Sequence, residues 1–392
     1  MTDDKGKSLT ALRDELDRVD RELIERAAER QRIVSEIGRI KKSAGRQLRD
    51  FRRERQVLDG VRLHAGSFGL DPHVAESLLT TLIEASLTRQ ETERVALSAR
   101  GEGKRALVIG GAGRMGRWLV RFLDSQGFDV LVADAACAAD DKRNFGDWHD
   151  APLDVELIVI AAPIDASRSI IEALAELQPA GLVFDVASIK APLVEALRKA
   201  AAAGLKICSV HPMFGPDTRL LAGHHVLLAD CGNAEAVAEA RSLFDETMAA
   251  LVDVSLDEHD RQMAWVLGLS HALNIAFAAA LADSEIDARQ LAAVSSTTFQ
   301  RQLDIATDVT AENPELYFEI QRLNPYEDGV LEALRRALQA LEASVLGGDA
   351  RTFVGLMQRG AGWTGRHRDA RAGRDQRMDD GSEDSPEQRD QP

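Results

Sequence analysis

The chain has 392 residues, 45% of them hydrophobic and 29% charged, enough for two or three domains of roughly 100–200 residues with packed cores. Lys+Arg 48 against Asp+Glu 64 leaves a net charge of −16, which argues against nucleic acid or an anionic membrane as the general partner. The charge is uneven, because residues 26–55 hold 11 Lys/Arg against four acids, a basic island in an acidic protein. Cys137, Cys208 and Cys231 are far apart, with neither CxxC nor Cys/His spacing, so a disulfide framework and a zinc site are not indicated and a reducing cytoplasm fits. The charged N-terminus has no apolar stretch, and no run is expected to approach the ~18 apolar residues of a membrane span. A soluble, cytoplasmic protein is the expectation.

In the first ninety residues Leu9, Leu12, Leu16, Val19, Leu23, Ile33, Ile37 and Ile40 recur at spacings of three and four, which predicts one long helix of about 45–50 Å. A shorter helix follows from about Asp50. A third, with Asp71 as N-cap and Pro72 at its first position, runs to about Arg94. So long a helix cannot be wrapped by a domain of ~95 residues alone, so an intertwined homodimer is expected over 1–95. Residues 96–104 read as a linker. From 105 to 255 short apolar runs (ALVIG, DVLVAD, ELIVIAAP, GLVFDVAS, LKICSVHP) alternate with helical stretches, the pattern of a doubly wound parallel α/β sheet of Rossmann type. Strands stop at 256, where an all-α domain rich in Ala and Leu runs to 363. Residues 364–392 carry mixed charge and almost no apolar side chains, and are expected to be a disordered tail.

Gly111, Gly113 and Gly116, with Arg114 and Met115 between them, follow a strand and open a helix. That context makes the GxGxxG spacing a dinucleotide site, in which glycines allow a tight turn and the helix N-terminus faces a pyrophosphate. Asp134 ends the second strand, about 20 residues on, where a carboxylate accepts both ribose hydroxyls, so NAD is expected rather than NADP. Arg114 lies within the loop and leaves contact with a 2′-phosphate open.

In the basic island Arg30 and Lys41 lie about 20° apart on one helix and ~16 Å along it, spacing for a small dianion. Arg13 is ~25 Å from Arg30 and turned by about 100°, so it reaches only the equivalent site of an antiparallel partner. A solvated charged face or a nucleic-acid patch are the other readings of such a run.

Leu12-Arg13, Ala28-Glu29-Arg30, Gly38 with Lys41, Arg49-Asp50 with Arg53-Glu54-Arg55, and Ser86-Leu87-Thr88-Arg89-Gln90 closely resemble the all-helical chorismate mutases without a gap over about 1–92. The resemblance implies that Arg30, Arg53 and a partner's Arg13 hold the substrate carboxylates. Asp50 and Glu54 would meet the ring-hydroxyl region, Ser86 would line the site, and Lys41 and Gln90 would donate to the ether oxygen. Arg forks and buried donors suit a pericyclic rearrangement, which needs a held conformer and stabilised charge rather than proton transfer.

Further along, Asp185-Val186-Ala187-Ser188-Ile189-Lys190 and Ser209-Val210-His211-Pro212-Met213-Phe214-Gly215-Pro216-Asp217 stand at carboxyl ends of strands, where α/β folds place ligands. With the Gly-rich turn they resemble prephenate dehydrogenase over about 104–360, and the whole chain resembles the bifunctional T-proteins, in which the mutase is fused to that dehydrogenase. The C-terminal helical domain would then be the dimerisation domain. This resemblance implies that His211 takes the proton of the C4 hydroxyl as hydride passes to NAD and CO₂ leaves. Ser188 would orient His211 or the hydroxyl, Lys190 would organise the same loop beside the substrate, and His271 would be either a substrate ligand or a core histidine.

The chain departs from the family where substrate-binding arginines are expected, since Gln300 and Asp308 stand there and an aspartate reverses the sign. Arg301, or else Arg322, is the expected replacement. The departure leaves three readings: tyrosine biosynthesis through prephenate, the same two steps on 4-amino-4-deoxychorismate, and a dehydrogenase half that only senses ligands.

Overall fold

The computed structural model describes residues 8–43, 51–137 and 143–380. They form two compact units, one of residues up to Arg94 together with those from Gly362, the other of Val95–Ala361.

The first unit holds α1 (Leu9–Ser43), α2 (Phe51–Ala65) and α3 (Pro72–Ser98), the last crossing into the second unit. At 35 residues α1 spans about 52 Å, close to the length read from its periodicity. Its apolar stripe, Leu9 to Ile40, is at least 46% exposed at every position. Within one chain, nothing among the described residues covers this stripe, as expected of a helix that lacks a domain large enough to wrap it. Asp71 caps α3 by accepting the His73 N–H at 2.7 Å.

The second unit is built on an eight-stranded sheet. Its strands are β1 (Arg105–Ile109), β2 (Asp129–Ala133), β3 (Asn144–Phe145), β4 (Leu157–Ile160), β5 (Leu182–Asp185), β6 (Ile207–Pro212), β7 (His225–Ala229) and β8 (Ala250–Asp253). They lie in the order β3-β2-β1-β4-β5-β6-β7-β8. The helices on its faces are α4 (Arg114–Ser125), α5 (Ile164–Leu177), α6 (Val194–Ala202) and α7 (Ala234–Ser242). Alternation along β1 makes both cores: Leu107 and Ile109 join one apolar cluster with Ile171 and Leu197, while Ala106 and Val108 join the other with Trp118 and Phe244, as expected when both faces are covered. The chain turns to opposite sides after β1, so the β1–β4 crevice is the switch point.

The sheet is not wholly parallel, because β7 pairs antiparallel with β6. No helix lies between these two strands, and without a crossover the chain can only return alongside.

Beyond the sheet come α8 (Leu256–Met263), a π-helical turn (Ala264–Leu269), α9 (Ser270–Ala282), α10 (Ala288–Ala293), α11 (Thr297–Thr310), α12 (Pro314–Arg322), α13 (Glu327–Leu346) and α14 (Ala350–Asp380). Two expectations change here. Among the described residues one helical run, Leu256–Ala282, is long and apolar enough to cross a membrane by length and composition alone. The segment reads as helical in the sequence, but Ser270, His271 and Asn274 interrupt its apolar letters, so no unbroken apolar run of that length is counted there. In addition, α14 continues through the expected tail to Asp380. No proline intervenes before Pro386. Residues 381–392 lie outside the described residues.

Candidate active sites

In the first unit α1 and α3 bring Arg30, Ser86 and Gln90 together. Arg30 Nη1 donates to the Leu82 carbonyl at 3.2 Å and to Ser86 Oγ at 3.3 Å. Ser86 Oγ donates to the Leu82 carbonyl or to Gln31 Oε1, 2.7 and 2.8 Å away. Gln90 Nε2 donates to the Val34 carbonyl at 2.8 Å. Ser86 and Gln90 are buried, and burial pushes the Arg30 guanidinium below its ordinary range. Gly38 explains why Gln90 can lie so close, since a Cβ there would sit 3.1 Å from Gln90 Nε2. Lys41 and Glu54 are half-buried, while Arg53 and Arg13 are exposed. Arg53 Nη1 lies 3.5 Å from Gln56 Oε1. Asp50 lies outside the described residues.

In the second unit the loop after β1 has the shape a dinucleotide needs. Gly110 adopts φ +84, and a Cβ there would meet the Ala161 carbonyl oxygen at 2.5 Å. A Cβ on Gly116 would lie 2.1 Å from the Gly110 oxygen, and one on Gly111 would lie 2.7 Å from Val132 Cγ1. Gly113 caps α4 in an extended conformation, leaving the helix N-terminus open toward a pyrophosphate. Asp134 accepts the Ala112 N–H at 3.0 Å and the Ala136 N–H at 2.9 Å, which holds its carboxylate beside the loop. The residues present therefore fit a dinucleotide with free ribose hydroxyls. Gly110 was not among the expected ligands, although its place directly before the motif was the available signal. Arg114 pairs with Asp217 at 2.9 Å and with Glu312, and lines the neighbouring cleft together with Gly113 and Met115 of the loop.

That cleft, of about 610 Å³, is lined by Gly113, Arg114 and Met115, by Ser188, by His211 with the following Pro212–Pro216 loop, and by Leu267, His271, Glu312, Glu315, Tyr317 and Glu319. The volume is ordinary for a small-molecule site. His211 ends β6 and is 4% exposed. Burial pushes its imidazole well below the ordinary range, and His259 and Lys190 add to the effect. Its Nδ1 lies 2.9 Å from His259 Nε2, and His259 Nδ1 lies 2.7 Å from Asp260 Oδ1. Neither His259 nor Asp260 was singled out from the sequence. They lie 48 and 49 residues from His211, on α8, in the helical run LDEHDRQM, which shows no site pattern of its own.

Ser188 lines the cleft with His211, where its expected role beside His211 or the substrate hydroxyl places it, while the hydrogen-bond partner of His211 Nδ1 is His259. Lys190 is corrected as a substrate ligand. Its ammonium is 1% exposed and donates to Asp185 Oδ1 at 2.7 Å and the Val210 carbonyl at 2.9 Å. It therefore ties β5 to β6 and does not line the cleft. His271 faces the cleft, stacked on Tyr317 at 4.2 Å. It is 8% exposed with no partner for Nδ1 among the described residues, and burial pushes its pKa down to about 4. Arg301 is exposed and does not line the cleft; Gln302, the next residue, takes the inward face of α11 by donating to Asn274 Oδ1 at 2.7 Å, which leaves Arg301 about 100° away from it. Arg322 is likewise exposed, over the Phe318 ring. Gln300 donates to Asp304 at 2.9 Å and Asp308 is exposed, and neither lines the cleft.

Comparison with known proteins finds three family matches along the chain. The family Chorismate mutase type II matches residues 12–91. The family Prephenate dehydrogenase, nucleotide-binding domain, matches 123–253, and Prephenate dehydrogenase, dimerization domain, matches 255–359. A T-protein from Enterobacter agglomerans is 28% identical over 362 residues, covering 92% of this chain and 94% of that one. A 4-amino-4-deoxyprephenate dehydrogenase from Streptomyces pristinaespiralis is 29% identical over 274 residues, 67% of this chain and 92% of that one. Among solved structures, a prephenate dehydrogenase from A. aeolicus in complex with hydroxyphenyl propionate and NAD+ shares the fold at TM-score 0.53 and 17% identity, over 67% of this chain and 97% of that one.

Proposed function

The chain belongs to the bifunctional family in which a type II chorismate mutase is fused to prephenate dehydrogenase, and from that membership we propose how its own residues divide the work. The enzyme rearranges chorismate to prephenate and then oxidatively decarboxylates prephenate to 4-hydroxyphenylpyruvate, in tyrosine biosynthesis and with NAD. In the mutase half Arg30, Arg53 and the partner's Arg13 fix the carboxylates, Glu54 and Asp50 meet the ring hydroxyl, and Ser86 shapes the floor. Lys41 and Gln90 stabilise charge on the ether oxygen.

In the dehydrogenase half the loop Gly110–Gly116 and Asp134 hold NAD, which supplies the hydride acceptor. Arg114 stands at the cleft mouth between cofactor and substrate. His211 accepts the C4 hydroxyl proton, Ser188 and His271 bind the ring substituents, and aromatisation drives loss of CO₂. A base kept neutral by burial is ready to accept that proton at working pH. The observation that carries this reading is His211, buried at the end of β6 and facing the cleft beside the glycine loop.

Its dimerisation domain makes the enzyme a homodimer. The bare stripe of α1 supports a second, intertwined contact that carries Arg13 to the partner's site. The exposed Trp265 and Val266 of the Leu256–Ala282 run support packing against a second copy rather than lipid. As a soluble metabolic enzyme it works in the cytoplasm.

Separate losses test the assignment. Lys41→Ala should abolish prephenate formation from chorismate and leave NADH formation from prephenate intact; His211→Asn should do the reverse. Full mutase rate in the first, or full NADH formation in the second, refutes the site concerned.

One observation favours a second substrate reading. Among the described residues lining the cleft Arg114 is the only Arg or Lys, it is paired to two acids, and Glu315 and Glu319 add further negative charge. Such a wall suits the 4-ammonium of 4-amino-4-deoxyprephenate, which otherwise carries the same two carboxylates, better than the neutral 4-hydroxyl of prephenate. Comparing kcat/KM for the two substrates with NAD decides between them.

A further inference from the structure

We propose that His259 is a positioning residue for the dehydrogenase step, holding His211 in the tautomer that accepts a proton and receiving the displaced proton beside Asp260; this rests on the proposed role of His211. The hydrogen-bond directions can be worked out from Asp260. Its Oδ1 accepts the Lys190 N–H at 2.8 Å and its Oδ2 accepts the Ala191 N–H at 2.6 Å, so it is a fixed, acceptor-only carboxylate. His259 Nδ1, 2.7 Å away, must therefore carry the hydrogen, which leaves its Nε2 bare. His211 Nδ1, 2.9 Å from that bare nitrogen, must then donate, and His211 Nε2 is left as the acceptor. The side of His211 that can meet substrate is thus set by a carboxylate two hydrogen bonds away. All three side chains are buried, so water does not scramble the order.

The proton balance follows. The substrate O–H bond breaks and its proton joins His211 Nε2, while the proton on His211 Nδ1 passes to His259 Nε2. One proton enters the His211 ring and one leaves it, so that ring ends neutral and the positive charge rests on His259 against the Asp260 carboxylate. The charge then rests beside the Asp260 carboxylate, which favours it, while the Lys190 ammonium, held against the Val210 carbonyl and Asp185, opposes a positive charge on His211 and His259 alike. The other titratable groups that line the cleft with His211 are Arg114, His271, Glu312, Glu315, Tyr317 and Glu319.

The test uses the full chain with prephenate and NAD, comparing His259→Leu and His259→Gln with wild type. Leucine removes both functions, whereas the glutamine oxygen can accept the His211 hydrogen but cannot take up a proton. We expect kcat to fall about 10²–10³-fold in His259→Leu with KM for prephenate little changed, and to recover about 10-fold in His259→Gln. The acid limb of the kcat/KM profile should move to higher pH in His259→Gln, because His259 helps hold the His211 imidazole down. NAD affinity, measured by calorimetry without substrate, should stay at the wild-type value and serves as the folding control. If His259→Leu loses NAD affinity, the glutamine variant decides alone through its pH limb. Equal rates for leucine, glutamine and wild type, or an unmoved limb in His259→Gln, overturn the proposal. Absence of NADH with the wild-type enzyme on prephenate and on its 4-amino analogue would instead refute the dehydrogenase reading beneath it.

Discussion

Gly38→Ala separates stability from catalysis in the mutase half. Glycine inside an exposed helix costs about 1 kcal/mol relative to alanine, so the substitution taken alone stabilises α1. Opposing this, the new Cβ would stand 3.1, 3.2 and 3.3 Å from Gln90 Nε2, Cδ and Cγ, closer than side chains ordinarily pack. Gln90 relieves the contact by moving a few tenths of an ångström, at the expense of its 2.8 Å bond to the Val34 carbonyl, worth ~1 kcal/mol. The two terms nearly cancel, and unfolding free energy should stay within about 1 kcal/mol of wild type. Catalysis has no such compensation. If Gln90 donates to the ether oxygen as proposed, misplacement on this scale should lower mutase kcat about 10-fold. Stopped-time assays of chorismate loss, beside denaturant melts and NADH formation from prephenate as internal control, check all three. A variant of wild-type mutase rate would show that the close approach of Gly38 and Gln90 has no catalytic purpose. A variant destabilised by more than about 2 kcal/mol would show that Gln90 cannot give way.

Two further outcomes are expected. Gly110→Ala places a side chain at φ +84 and 2.5 Å from the Ala161 oxygen. Strain of about 1–3 kcal/mol should weaken NAD binding by 10-fold or more in calorimetry, with mutase activity unchanged; wild-type affinity would refute the loop assignment. Glu327 is buried, neither carboxylate oxygen has a hydrogen-bond partner among the described residues, and burial first, then Asp328, raises its pKa from 4.5 to about 7. A raised acid contributes stability that is present below pH 4.5 and lost as pH rises through 7. Urea midpoints of Glu327→Gln should therefore fall less than those of wild type between pH 4.5 and pH 7, and parallel slopes would contradict this account.

Much of the architecture was legible along the chain because it depends on neighbours in sequence. The stripe from Leu9 to Ile40 needs only a period of 3.6 to declare a helix, and its bareness in one protomer follows from the same count. The turn at Gly111–Gly116 is constrained by glycine's freedom at adjacent positions, and His211 is conspicuous through the residues that follow it. The antiparallel β7 was missed because strand direction depends on what the connection can bridge, and the helical course of 364–380 was missed because low apolar content was read as disorder.

What only the folded chain decided concerns side chains paired over long separations. Arg114 appears in the sequence as a cofactor residue, yet its partners Asp217 and Glu312 lie 103 and 198 residues away. Lys190 reads as a site cation, yet the ends of β5 and β6 bury it against Asp185. His259 and Asp260 have no local signature at all, because their hydrogen bonds to His211 and to the Lys190–Ala191 backbone exist only once α8 docks on the sheet. Local periodicity and backbone freedom are properties of consecutive residues, and so the sequence alone determined α1 to α3, the strands β1, β2, β4, β5 and β6, and the glycine turn. The protonation state of a buried histidine depends on the dielectric and the hydrogen-bond partners that packing supplies, and these the tertiary structure decided.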